Sequence, residues 1–98
     1  MKKVLLIGGL CGMTMLRAAS MIEDECRNRE IAIQVKIQNV WETPTVVMEG
    51  LDVLIQMMPL YETAPCMLVS GKPFISHFQE KQLLSSILEY LENGGMQS

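Results

Sequence analysis

The tightest constraint on this chain lies in its first seventeen residues. Val4-Leu5-Leu6-Ile7 is an unbroken apolar run, the pattern of a strand covered on both faces. Gly8-Gly9-Leu10-Cys11-Gly12-Met13-Thr14-Met15-Leu16-Arg17 follows at once and leads into a helical pattern from about Leu16. A strand, a glycine-rich turn and a helix start together form a phosphate cradle. Glycines let backbone N–H groups approach an anion, and the helix N-terminus adds partial positive charge. Cys11 sits inside this loop, where the same N–H groups and dipole would stabilise a thiolate and sharpen it as a nucleophile. The expectation is that the loop holds a phosphoryl group on Cys11. Gly9, Leu10, Gly12, Met13 and Thr14 would surround the phosphate, and Arg17 would reach back as a charge-assisted donor.

Downstream, Ala18, Ile22 and Cys26 recur at helical spacing as far as Asn28. Ile31, Ile33, Val35 and Ile37 alternate with Ala32, Gln34, Lys36 and Gln38, which marks an edge strand with one wet face. Thr43-Pro44 has the form of a helix opening, and Gly50 closes a short helix or turn. Asp52 to Met58 reads as a second central strand and Cys66 to Val69 as a short fourth one. Gly71-Lys72-Pro73 reads as a turn. Ser76 and Gln79 have capping-box spacing for a helix carrying Leu83, Leu84, Ile87, Leu88 and Leu91, which Asn93-Gly94-Gly95 ends.

Strands alternating with helices predict an α/β fold over residues 1–98, a single domain. The pattern is a three-layer sandwich around a four-stranded, mostly parallel sheet of order 2-1-3-4, flavodoxin-like, with a phosphatase-like phosphate loop after the first strand. That order puts the loop at the topological switch point, where open α/β sheets bind ligands. The seven residues Pro59 to Pro65 are short for a parallel crossover, so the direction of the fourth strand stays open.

A net charge of −3 with no Lys/Arg cluster argues against nucleic acid as a partner. The apolar run from Val4 to Leu16 is too short and too interrupted to span a bilayer, so no membrane insertion is expected. Ala18-Ala19-Ser20 is a weak cleavage site, and cleavage there would discard the first strand; the chain reads as cytoplasmic. Cys11, Cys26 and Cys66 are an odd number without paired spacing, which fits reduced thiols. No metal and no cofactor is expected. Cys26 and Cys66 read as core, and His77, the only histidine, as a surface residue at a helix start.

Over nearly its whole length the chain resembles the IIB components of bacterial sugar phosphotransferase systems, the galactitol-type branch in particular. The resemblance rests on the strand–loop–helix opening and on Asn39-Val40-Trp41-Glu42 through Met48-Glu49-Gly50-Leu51-Asp52. It rests also on Gly71-Lys72-Pro73-Phe74-Ile75-Ser76 leading to Leu83-Leu84-Ser85-Ser86-Ile87-Leu88. It implies a phosphoryl carrier that accepts phosphate from a histidine of a IIA protein onto a cysteine and passes it to a sugar at the membrane permease IIC. It further implies a cytoplasmic protein that associates with the membrane through IIC. Aligning Gly12-Met13-Thr14 with the family's Gly-Met-Ser places Gly9 at the acceptor position and Cys11 two residues later. Either Cys11 serves through a shifted loop, or the chain is a degenerate, regulatory or interaction module without phosphotransfer.

Cys11 and Arg17 also satisfy the Cys-x5-Arg spacing of low-molecular-weight phosphatases, in which the thiolate attacks phosphate and the arginine clamps its oxygens. That alternative needs an Asp-Pro general acid, and the only aspartates are Asp24 and Asp52.

Overall fold

A computed structural model describes residues 2–9, 12–42, 45–47 and 49–92. The described elements are β1 (Lys2–Gly8), α1 (Gly12–Asn28), β2 (Ile33–Asn39), β3 (Val53–Gln56), β4 (Met67–Ser70), α2 (Lys72–Ser76) and α3 (Glu80–Glu92). The sheet has the expected order, β2-β1-β3-β4. All three pairings are parallel, including β3 with β4, so the direction left open by the sequence is settled. β3 is shorter than its apolar run and β4 begins one residue later than expected, which lengthens the connection between them to residues 57–66.

The two sheet faces are covered differently. On one face Val4, Leu6, Val53 and Ile55 meet Met15, Ala18, Ala19, Ile22 and Cys26 of α1, Phe74 of α2, and Leu84, Ile87, Leu88 and Leu91 of α3. Ile33 and Val35 of β2 pack at its margin. On the other face Leu5, Ile7 and Leu54 form a small core, covered by Val40, Val46, Leu51 and Ala64 from the connections. Among the described residues, the third layer is therefore built from irregular segments. Gln34 and Lys36 of β2 are exposed beside this thin face, as an edge strand with a wet side requires.

Three local expectations change. The first helix begins at Gly12 and not at Leu16, because Met15 is buried and extends the stripe of Ala18, Ile22 and Cys26 toward the N-terminus. The turn expected at Gly71-Lys72-Pro73 is the start of α2, with Pro73 in its first turn, where a missing N–H costs nothing. The capping box does not form. Ser76 ends α2, His77 and Gln79 take left-handed φ of 67° and 61°, and α3 opens at Glu80. The expected helix opening at Thr43-Pro44 and the stop at Asn93-Gly94-Gly95 lie outside the described residues. Residues 45–47 are not helical, and Gly50 supplies a turn with φ of 80°.

Candidate functional site

The site is set by how β1 ends. β1 is central, with β2 on one side and β3 on the other, so its C-terminal end lies between two other strand ends. Three backbone bonds fix that end. Val40 N–H donates to Gly8 O at 2.9 Å, Met57 N–H donates to Ile7 O at 2.9 Å, and Gly71 N–H donates to Gln56 O at 2.7 Å beyond β3. Gly8 and Gly9 are buried, and α1 opens at Gly12. The first amides of α1 have no partner within the helix and point back toward the loop. Leu10 and Cys11, which the sequence places at the centre of the site, lie outside the described residues.

Gly9 is the position where the family resemblance would put the acceptor cysteine. The Trp41 indole packs directly over its backbone, so a side chain there would run into Nε1 and Cδ1 of Trp41. Trp41 is itself anchored. Its backbone N–H donates to Asn39 Oδ1 at 2.8 Å, and Glu42 N–H closes the turn on Asn39 O at 3.1 Å. Trp41 nevertheless stays 68% exposed. Sequence reasoning placed Trp41 within the resembling stretch but gave it no role. No local signal identifies it, because the contact spans two loops.

Gly12 opens α1 with open space where a side chain would be. Thr14 is half-buried in the first turn, and Met13 is 81% exposed. Arg17 takes partners other than the loop. Its Nη2 donates to Phe74 O at 2.7 Å and to Glu80 Oε2 at 2.5 Å, and lies 3.2 Å from His77 Nδ1. His77 Nδ1 is also 3.4 Å from Glu80 Oε1. Arg17 thus ties α1 to the junction of α2 and α3. Partial burial raises the Glu80 pKa, but hydrogen bonds from Arg17 and His77 and their charges outweigh it, and the carboxyl is held below the usual carboxylate range.

The other two thiols are held toward their protonated form. Burial pushes the Cys26 thiol up, with Arg29 opposing and Glu25 adding. Burial pushes Cys66 up as well, and the nearby Asp52 charge adds to it. Each disfavours the thiolate that nucleophilic chemistry needs.

Apolar side chains stand out on both flanks of this sheet end. Met13, Leu16, Ile75 and Phe78 are exposed on the helical side, and Trp41, Leu60 and Tyr61 on the thin side. Among the described residues, no helix is long and apolar enough to cross a membrane. Compared with protein-family models and with curated proteins, the chain gives no match to either.

Proposed function

We propose that this chain is a phosphoryl carrier resembling the IIB components of sugar phosphotransferase systems, with Cys11 as the acceptor. The observation that carries the reading is the position of the loop. It leaves the central strand of a 2-1-3-4 parallel sheet at its C-terminal end and enters α1 at Gly12, one residue after Cys11. A thiol immediately before a helix of this length gains from unpaired amides and from the positive end of the dipole. Occupation of the space over Gly9 by Trp41 favours Cys11 over the family's usual position.

In this reading the Cys11 thiol loses its proton and the thiolate attacks phosphorus on a IIA phosphohistidine. The S–P bond forms as the N–P bond breaks, and the proton given up by the thiol passes to the departing histidine nitrogen, which leaves as neutral imidazole. A sugar hydroxyl at IIC then attacks phosphorus, gives up its proton and returns the thiolate. Gly9, Leu10, Gly12, Met13 and Thr14 supply amides and one hydroxyl to the transferring oxygens. The exposed apolar side chains on the helical side, Met13, Leu16, Ile75 and Phe78, offer contact area for the two protein partners.

The test is incubation with a phosphorylated IIA protein followed by mapping of phosphocysteine by mass spectrometry. An adduct on Cys11 that disappears in Cys11→Ser is the expected result. No adduct, or one that persists in Cys11→Ser, overturns the assignment. Turnover of an aryl phosphate without an adduct would instead mark a hydrolase.

A further inference from the structure

A second feature at this sheet end supplies no group to the transfer steps described above. Val40 and Trp41, after β2, face Met58, Leu60 and Tyr61, after β3, across a cleft of about 300 Å³. We propose that this cleft is a binding site for an uncharged, planar aromatic ring of a small molecule, stacked between Trp41 and the Leu60-Tyr61 wall.

Four observations carry it. First, both walls are fixed by side-chain amides. Asn39 fixes the Trp41 turn, and Gln56 fixes the opposite wall, with Oε1 accepting from Leu60 N–H at 3.1 Å and Tyr61 N–H at 2.9 Å while Nε2 donates to Tyr61 O at 3.0 Å. Second, the described residues that line the cleft are apolar or aromatic, with no charged group among them, which suits an uncharged occupant. Third, the Gln56 amide is spent on the loop and Asn39 Oδ1 on the turn. A polyhydroxylated ring would find few side-chain partners for its in-plane hydroxyls, whereas a flat aromatic ring needs none. Fourth, the cleft stands at the C-terminal ends of β2 and β3, on either side of β1, the place where open parallel sheets bind ligands.

The chain has one tryptophan, so its spectrum holds a single indole N–H signal, and that signal reports on the cleft. The experiment is a two-dimensional nitrogen–proton titration of the whole chain with adenosine, nicotinamide and phenol, each taken to millimolar concentration, with glucose as the polyhydroxylated comparison. Saturable movement of the Trp41 indole and the Leu60 and Tyr61 amides by at least one aromatic probe, and not by glucose, is expected. Tyr61→Ala should weaken that binding by about five- to a hundredfold, the range of stacking losses for one aromatic platform. Leu60→Ala is the second variant, and the dispersion of the same spectrum shows whether each variant is folded. Absence of saturable movement with all three probes overturns the proposal. So does equal movement by glucose, or undiminished binding in both folded variants. Protection of Trp41 only by a protein partner would do so too, since that marks a docking surface. No phosphate and no cysteine enters the experiment, so its outcome is independent of the carrier reading.

Discussion

The two faces of the sheet make an instructive pair. The same strands supply both, yet one face is buried under three helices and the other under connections. Leu6 belongs to a core that draws on every helix, whereas Leu5, its neighbour in β1, belongs to a core whose buried members are Leu5, Ile7 and Leu54. A helix covers a strand with interlocking side chains along its length, while a connection covers it with a few residues held by backbone bonds. Stability is concentrated on the helical side. The thin side keeps a cleft and the Gly9–Trp41 contact, features that need loops with shape and little apolar burden.

The first way to break this contrast is a pair of truncations. Leu6→Ala should cost about 3–5 kcal/mol and Leu5→Ala nearer 2 kcal/mol, the upper and lower parts of the range for core leucines. Chemical denaturation measures both, and equal losses would mean that the thin face is packed as firmly as the other. The second concerns the contact between the loops. Gly9→Cys should destabilise by about 1–3 kcal/mol, the usual cost of overpacking, and most of that should vanish in a Trp41→Ala background. An additive double mutant would show that the indole does not occupy the space over Gly9.

The third prediction addresses the helical side, where Arg17 and Glu80 join α1 to the α2–α3 junction. Glu80→Gln should cost about 0.5–1 kcal/mol, modest because Arg17 is 40% exposed. The wild-type pair also has a pH signature. Since the folded state holds the Glu80 carboxyl below the usual range, its contribution is full above the ordinary carboxylate pKa and drains away as pH falls through the lowered value. Denaturation midpoints between pH 6 and pH 3 should therefore converge for wild type and Glu80→Gln at the acid end. A constant gap across that range would remove the ion pair from the account.

The smallest effect is chemical. Cys26 and Cys66 should react slowly with an aromatic disulfide reagent under native conditions, Cys26 more slowly because it is buried, and both should react at unfolding. Rapid native labelling of Cys26 would mean that the α1 stripe opens far more readily than its packing implies.

Much of the fold was legible in the residues because it follows from periodicity. The unbroken run at Val4 to Ile7 and the alternation from Ile31 to Gln38 distinguished a central strand from an edge strand, and the order 2-1-3-4 followed from that distinction. The misreadings share one cause: local chemistry admits two structures and distant packing chooses. Pro73 fits a turn as well as a helix start, and burial of Phe74 in the main core selects the helix. Ser76 and Gln79 have the spacing of a capping box, but Arg17, reaching from α1, holds the Phe74 carbonyl and Glu80, and the chain breaks between them into left-handed residues. Of the candidate site, the strand–loop–helix placement was readable. The diversion of Arg17 to Glu80 and the seating of Trp41 over Gly9 were not, because each joins residues far apart in sequence and no short pattern encodes it.

The seating of Trp41 over Gly9 has a consequence for inheritance. If the two groups exclude each other, positions 9 and 41 are not free to vary separately. Descendants of this chain that gain a side chain at the end of the first strand should shed the indole, and those that keep the indole should keep the bare backbone beneath it. A thiol two residues late and a tryptophan after the second strand would then be one character, passed on together. A sequence carrying both a cysteine at the earlier position and this tryptophan would be the exception to look for.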